Sequence, residues 1–290
     1  MALTTITTVA TTIPEVWSKI TNDTREKNLI LAPLLDRRFE SENAGNPTDK
    51  IHVQGVDDFA GNADAFSAGD DPITFTAGAF LAQVDIAISR HYYTAFAVQH
   101  DVSLLANIPL AMKFSNKAAY RVSLELDTYI AGFFDANTTT ANKVGALGTA
   151  LEDDDIIEST RILNAANVPF EDRHFYFSTD QDAEFKKVER YVNNDYSQAV
   201  GALNVTHTRG LVANLHGMSW YTSTNVEGST AAGHDNGFFH REWAAIVQAE
   251  NLRIEGPSYD LESDSDEYAV HNYYGVKEMR PDHVVWGKGK

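Results

Sequence analysis

The residues of this chain that could do chemistry are ten histidines and a few short acidic runs, and their spacing matches no known site. There is no H-E-x-x-H motif, and the six-residue spacing of His234 and His240 fits no zinc pattern, so a structural role is favoured for each histidine. The acidic segment Asp260–Glu267 lacks the glycine and the spaced glutamate of a calcium loop, which favours a solvated turn. Glu152–Asp155 is interpreted as the start of a helix, because acidic side chains suit the positive end of the helix dipole.

Motifs of nucleophilic and nucleotide-dependent enzymes are also missing. The absence of cysteine excludes disulfides, thiolate metal sites and a cysteine nucleophile. No phosphate-binding G-x-x-x-x-G-K-[ST] loop, no G-x-G-x-x-G after a strand and no G-x-S-x-G elbow occurs. A Ser/His/Asp triad stays open, because its members need not be neighbours in sequence. We therefore predict a protein that is not an enzyme and has no cofactor and no metal site.

The composition indicates an ordinary globular protein of one large or two modest domains, with 290 residues, 43% of them hydrophobic and 22% charged. The net charge of −18 argues against a nucleic-acid-binding protein, which needs clustered Lys and Arg to neutralise phosphates. The apolar runs are too short for a membrane span, and the N-terminus lacks the basic region of a secretory signal.

A long amphipathic helix over Asn107–Ala136 organises the rest of the chain. Its apolar residues recur at three- and four-residue steps, and Asn107 and Pro109 suit the helix start. The apolar positions are Ala119, Val122, Leu126, Ile130 and Phe133.

Strand patterns come before this helix. Lys50–Val56 alternates as a strand, and Asp57–Asp71 reads as a flexible loop tip rich in Gly, Ala and Asp. Apolar residues then hold the even positions from Val84 to Val98, over about 15 residues or roughly 50 Å. This length indicates an arm that leaves its own subunit, with a strongly bent strand that serves two sheets as the alternative.

The N-terminal segment predicts a helix that begins at a Thr12/Glu15 capping box and ends at Leu29–Leu31, where Pro33 stops it. Trp17, near the terminus, would need a partner surface or would pack on its own domain.

In the second half, helical and strand patterns alternate after a boundary near Thr149. A helix follows Glu152–Asp155, His174–Ser178 is a short buried strand, and Ser178 caps the next helix. A further helix is predicted over Phe238–Ala249. The turn Asp260–Glu267 separates the strands of a closing hairpin.

The order of these elements resembles the major capsid proteins of tailed bacteriophages. The marks are I-P-E-V-W-S-K, Y-Y-T-A-F-A-V-Q-H-D, the stretch Arg209–Val226 (R-G-L-V-A-N-L-H-G-M-S-W-Y-T-S-T-N-V), F-F-H-R-E-W-A-A-I-V with L-R-I-E, and N-Y-Y-G-V-K-E-M-R-P-D-H-V-V. Each motif alone is weak, whereas their order and spacing together are specific. The resemblance runs from Ile13 to Val285.

The resemblance implies an α+β protein with the Hong Kong 97-like phage capsid fold. It implies an N-terminal arm at 1–48, an extended β-hairpin loop at 49–100, a peripheral domain at 101–148 and 252–290 that holds the long spine helix, and an axial domain at 149–251. The implied function is that of a structural subunit that self-assembles, as pentamers and hexamers, into an icosahedral shell around double-stranded DNA. The location would be the virion, after assembly in the host cytoplasm. An encapsulin-type nanocompartment shell is the alternative, and an unrelated soluble enzyme is a third.

The resemblance also sets expectations about partners and contacts. Because Met1 lies a few residues before the arm helix, we expect a separate scaffolding protein or none. The resemblance also implies a portal and, as an optional partner, a decoration protein. The DNA would be enclosed without specific binding. Some relatives in this family cross-link covalently from a lysine of the extended loop to an asparagine of the next subunit. Here the loop tip Asp57–Asp71 has no lysine and only Lys50 lies in the whole loop, so we expect a shell without covalent cross-links. Trp17, Phe59 and Phe66 are the predicted intersubunit anchors, because these large apolar groups lie on segments too extended to bury them locally.

Overall fold

The computed structural model describes residues 25–43, 49–56, 78, 81–105, 109–136, 142–188, 211–229 and 232–290. Within these ranges the chain forms three sheets and one long helix, which confirms the predicted α+β class. None of the described helices combines the length and the apolar composition needed to cross a membrane.

The helices and strands below are numbered in chain order. The helices are α1 (Leu31–Leu34), α2 (Glu40–Asn43), α3 (His100–Leu105), α4 (Leu110–Ala131), α5 (Phe133–Ala136), α6 (Asp153–Ala165) and α7 (Thr179–Phe185). The strands are β1 (Lys50–Val53), β2 (Val84–Ala87), β3 (Arg90–Gln99), β4 (Lys143–Gly145), β5 (Arg173–Ser178), β6 (Leu211–Leu215), β7 (Met218–Ser223), β8 (Gly228–Ser229), β9 (Gly233–His240), β10 (Ala244–Asp260), β11 (Ser265–Glu278) and β12 (Val284–Gly289). Two 3₁₀ turns, Arg241–Trp243 and Pro281–His283, precede β10 and β12.

The predicted long helix is present as α4, with 22 residues and a length of about 33 Å. Val122, Leu126 and Ile130 are buried on its apolar face, as the periodicity predicts. The helix is shorter than predicted, because it ends at Ala131 and the turn at Gly132 separates it from α5. The predicted cap Asn107 lies outside the described residues.

Helix α4 covers one face of a three-stranded antiparallel sheet with the order β10-β11-β3. Ala118 and Val122 of the helix pack on Val270 of β11, with Tyr92 and Phe96 of β3 beside them. Strands β10 and β11 pair in antiparallel fashion, which confirms the predicted closing hairpin. The turn between them is solvated, since Leu261 is 84% exposed.

The alternation from Val84 to Val98 belongs to two strands in two sheets. Strand β2 pairs with β1, and β3 pairs with β11. Ile86 and Ile88 pack on Ala245 and Val247 of β10, whereas the apolar residues of β3 face α4. The alternation is therefore divided between two strands that serve two sheets, as the alternative predicts, whereas the arm that leaves its own subunit stays a prediction.

Strands β1 and β2 form the base of a hairpin. Beyond them, the Leu81 amide donates to the Gly55 carbonyl at 2.9 Å, so the chain leaves and returns at one place. The predicted loop tip Asp57–Asp71 lies outside the described residues, and its reach to a neighbour stays a prediction.

A seven-stranded mixed sheet with the order β4-β12-β9-β5-β7-β6, and β8 beside β9, holds the second half of the chain. Both faces are covered. Phe175, Phe177 and Phe238 face α6 and α7, while Tyr176 and Phe239 face the end of α4 and α5. The predicted helix after Glu152, the buried strand at 174–178 and the helix capped by Ser178 are confirmed.

The helix predicted over Phe238–Ala249 is wrong. This segment is the end of β9, a 3₁₀ turn and the start of β10. Phe238 and Phe239 are both fully buried, on opposite faces of the sheet. A strand covered on both faces has consecutive apolar residues, which a helical period also fits.

The predicted end of the N-terminal helix is also wrong. Residues 25–30 are not helical, and Pro33 lies inside the helical turn α1 instead of stopping a helix. Proline is tolerated in a first turn, where its missing amide would have no intrahelical partner.

Strand pairing crosses the predicted domain boundaries. β4 and β12, from the segments predicted as peripheral, pair with each other, and β12 also pairs with β9. The seven-stranded sheet is therefore larger than the segment 149–251.

Candidate functional site

The three predicted anchors, Trp17, Phe59 and Phe66, all lie outside the described residues. The structure therefore does not test whether these three residues form contacts, and their role as anchors stays a prediction. The described residues instead place functional groups at a buried junction, on an exposed aromatic face and in a histidine cluster.

The buried junction is built around Asp127 of α4, which has no exposed surface. One carboxylate oxygen, Oδ1, accepts hydrogen bonds from the amides of Leu31 at 2.8 Å and Ala32 at 3.3 Å. The first amides of a helix have no intrahelical partner, so Asp127 acts as an N-cap for α1 from a distant part of the chain.

Asn225, in the loop after β7, completes the junction. Its Nδ2 donates to Asp127 Oδ2 at 3.4 Å and to the Thr128 hydroxyl at 3.1 Å. Its Oδ1 accepts from Lys27 Nζ at 3.3 Å, and Ser223 Oγ donates to the Asn28 carbonyl at 3.4 Å. The junction thus links the arm residues 27–32, the spine helix and the seven-stranded sheet.

The arm continues along α4 towards the start of that helix. The Lys27 amide donates to the Tyr120 hydroxyl at 2.8 Å, and Lys117 Nζ lies 2.6 Å from a Glu26 carboxylate oxygen. Because Asp127, Tyr120 and Lys117 are spaced by seven and three residues, they lie on one face of the helix. Residues 26–32 therefore run along this face of α4.

Burial is the main cause that raises the pKa of the Asp127 carboxyl above its usual 3.8, and the hydrogen bonds from Ala32, Leu31 and Asn225 oppose it. Burial also raises the pKa of Tyr176, with Asp127 as a second cause. An ionised Asp127 is therefore held at a desolvation cost that its donors offset in part.

A second feature is the exposed aromatic face of the three-stranded sheet, opposite α4. Tyr93 pairs with His271 across the strands, and His91 pairs with Tyr273. Tyr93 is 66% exposed, and the His91 and His271 rings lie 5.2 Å apart. Exposed aromatic groups of this kind mark contact surfaces.

A third feature is a group of possible metal ligands. One ligand atom each of His240, Glu242 and His283 lies within 4.8 Å of the others. Burial lowers the pKa of both imidazoles, that of His283 to about 4. The sequence did not indicate this group, because His283 is remote in the chain and the i, i+2 pair His240/Glu242 matches no motif.

Asp127 could have been suspected from the sequence. It lies between the core positions Leu126 and Ile130 of a strongly periodic helix. Which donors it meets depends on chain folding that the period does not reveal.

Replacement of Asp127 by alanine should lower the free energy of unfolding by about 2–4 kcal/mol, because the buried Leu31 amide, the part-buried Ala32 amide and the Asn225 side-chain amide lose their acceptor. Urea unfolding measures the loss, and hydrogen exchange at Leu31 and Ala32 should accelerate. The matched control is Asp154→Ala at the exposed start of α6, which should lower stability by at most about 1 kcal/mol, the size of a helix-dipole effect. Equal losses in both variants would contradict the capping role.

The pH dependence of stability should reveal the raised pKa of Asp127. A carboxyl whose pKa is raised in the folded state binds its proton more tightly there, so acidification through that pKa adds stability. Relative to Asp127→Asn, the wild type should therefore gain stability as the pH falls from about 7 towards the ordinary Asp value of about 4. Urea titrations of both proteins across this range measure the free energy of unfolding of each. A wild type that loses stability relative to Asp127→Asn as the pH falls would contradict the assignment.

No protein-family model and no curated protein sequence matches this chain. Solved phage structures match it over nearly its whole length. A chain of Mycobacterium phage Che8 is 23% identical with a TM-score of 0.76, and the match covers 95% of this chain and 96% of that one.

Two capsid structures give the same result at lower identity. The capsid structure of cyanophage P-SCSP1u matches with a TM-score of 0.75 and 13% identity, over 97% of this chain and 94% of its own. The capsid of Ralstonia phage GP4 matches with a TM-score of 0.68 and 11% identity, over 96% and 95%. This chain therefore has the fold of phage capsid proteins, as the sequence resemblance implied.

Proposed function

We propose that this chain is the major capsid protein of a tailed bacteriophage, a structural subunit that self-assembles into an icosahedral shell around double-stranded DNA. The observation that carries the proposal is the end-to-end match to phage capsid chains. At least 94% of both chains is covered in each of the three matches above. A shared core alone would give a partial match.

The charge of the chain fits this role. A shell wall must enclose packed DNA without binding it tightly, and a net charge of −18 disfavours tight binding to phosphates. The role needs no catalytic group, and we propose that the chain is not an enzyme. The location would be the virion, with assembly in the host cytoplasm.

We keep the domains that the sequence predicts, with one change to the bounds of the axial domain. In our proposal the spine helix and the three-stranded sheet form the peripheral domain. The seven-stranded sheet forms the axial domain around the five- and six-fold axes, and it takes in β4 and β12 in addition to residues 149–251. The arm at 1–48 and the loop at 49–100 would lie on neighbouring subunits.

The partners of the proposed subunit are its own copies, a portal and a scaffolding protein, with a decoration protein as an optional further partner. Trp17, Phe59 and Phe66 would anchor contacts between copies, and the exposed aromatic face around Tyr93 offers a further contact surface. Rings of copies use heterologous contacts, in which different patches of two subunits meet.

The direct test is expression of the full chain, followed by density-gradient sedimentation and negative-stain microscopy. Closed shells of megadalton mass are expected, and nucleic acid in particles from infected cells would separate a phage capsid from an encapsulin. A single small oligomer, with or without the candidate scaffolding protein of the same phage, would contradict the proposal.

Replacement of Trp17 by alanine should reduce the yield of particles at least several-fold, since anchors of this size contribute about 2 kcal/mol or more to a contact. Trp17→Phe, which keeps an aromatic ring, should restore much of the yield. Gradient fractions measure the yield, and an unchanged yield for Trp17→Ala would remove this residue from the set of anchors.

The shell should be held without covalent cross-links, because the loop tip Asp57–Asp71 has no lysine and the single lysine of the loop, Lys50, lies at its base in β1. Boiled particles on a denaturing gel should run as one band near 32.0 kDa. A ladder of higher bands that resists boiling and reductant would contradict this prediction.

A further inference from the structure

Two imidazoles and one carboxylate meet where the two large sheets join. His240 ends β9, Glu242 lies in the following 3₁₀ turn, and His283 ends the 3₁₀ turn before β12. One ligand atom of each lies within 4.8 Å of the other two. We propose that His240, Glu242 and His283 bind a transition-metal ion of the zinc type, with water as the remaining ligand.

The donor set suits this ion. Two imidazole nitrogens and one carboxylate oxygen form a three-ligand zinc site that leaves one tetrahedral position to water. His240 is 5% exposed and His283 is 7% exposed, so both imidazoles are fixed by packing. Glu242 is the more accessible ligand, with a side chain that is 30% exposed.

The backbone that carries these ligands is held firmly. The Trp243 carbonyl accepts hydrogen bonds from the amides of Met279 at 2.8 Å and Arg280 at 3.1 Å. The fully buried Trp243 indole also donates to Glu278 Oε1 at 3.1 Å. The two 3₁₀ turns are thereby joined, and rigid elements of this kind position ligands well.

His283 gives an independent reason to place a ligand here. Its Nδ1 is buried and has no hydrogen-bond partner among the described residues. Buried polar atoms without partners are rare and call for an explanation such as a bound ion or its water. The His240 and His283 rings lie next to each other, with their centroids 5.4 Å apart.

The surroundings select the class of metal. Arg38 lies 3.1 Å from Glu242 Oε1, and Arg280 lies 3.9 Å from Oε2. Calcium and magnesium need several oxygen ligands and a negative site, so they are disfavoured here. Zinc forms strong bonds to imidazole nitrogen and can displace the two arginines, because their side chains are 64% and 59% exposed and such surface ion pairs are weak.

The hydrogen bond of His240 indicates which atom would bind. The Glu242 amide donates to His240 Nδ1 at 3.2 Å, so the proton of the neutral ring lies on Nε2. A metal bound at Nδ1 would replace this long hydrogen bond and leave the ring proton in place. The ion would connect β9 and β10 to the turn before β12 and would stabilise the junction of the two sheets, whether or not the chain forms a shell.

The test uses the full untagged chain, stripped with a chelator and then given zinc, calcium or magnesium chloride. Zinc at about 100 times its dissociation constant should raise the melting temperature by about 4 °C, whereas calcium and magnesium should leave it unchanged. Cobalt(II) should give the visible absorption of a tetrahedral site in the same protein. Glu242→Gln and His283→Gln should lose both effects.

Two control variants sharpen the test. His52→Gln removes an exposed histidine beside Asp85 and should keep the full zinc effect. Arg38→Gln removes a cation that competes for Glu242 and should tighten zinc binding several-fold. If His283→Gln fails to fold, Glu242→Gln decides alone. No zinc-dependent shift in the wild type, or a loss of the shift in His52→Gln equal to that in Glu242→Gln, would overturn the proposal.

Discussion

The hydrogen bonds of the buried Asp127 carboxylate are the interaction on which the arrangement of this chain depends. A buried charge is costly unless donors surround it. Here the donors come from the arm, through the amides of Leu31 and Ala32, and from the loop of the seven-stranded sheet, through Asn225. Asp127 therefore ties both the N-terminal segment and the loop of the seven-stranded sheet to helix α4.

A second constraint acts at the end of the same helix. Phe134 of α5 stacks on Trp243 at a centroid distance of 4.8 Å and packs against β9 at Gly237. A Cβ at Gly237 would lie 2.2 Å from the Phe134 ring, so only glycine lets the ring approach the strand. Together with the Asp127 junction, this stack fixes the helix to the seven-stranded sheet at two places.

The sequence predicted those elements whose pattern has a single explanation. The period of α4 and the strand–turn–strand pattern around Asp260–Glu267 each fit one structure, and the structure contains both. The segment Phe238–Ala249 was misjudged because both faces of β9 are buried, so its run of apolar residues fits a helix equally well. Periodicity describes one face of one element, and the second face is determined by the rest of the fold.

Sequence periodicity does not predict sites that are formed by tertiary contacts. Asp127 meets Leu31 and Asn225, which are each about a hundred residues away, and the His240, Glu242 and His283 group forms only after two turns pack together. The division of one alternating stretch into β2 and β3 likewise depends on tertiary contacts, because the apolar residues of the two strands pack into two separate clusters. The resemblance to capsid proteins succeeded where local patterns failed, because it used the order of many elements at once.

The central claim is that the chain is a subunit of a closed shell. A cryo-electron microscopy reconstruction of the assembled particle tests this claim most directly. Every symmetry-independent copy should retain the contacts of Asp127 with Leu31 and Asn225, while residues 1–24 and 57–77 contact neighbouring copies. A particle in which these segments pack only on their own subunit, or in which the junction is open in most copies, would contradict the account.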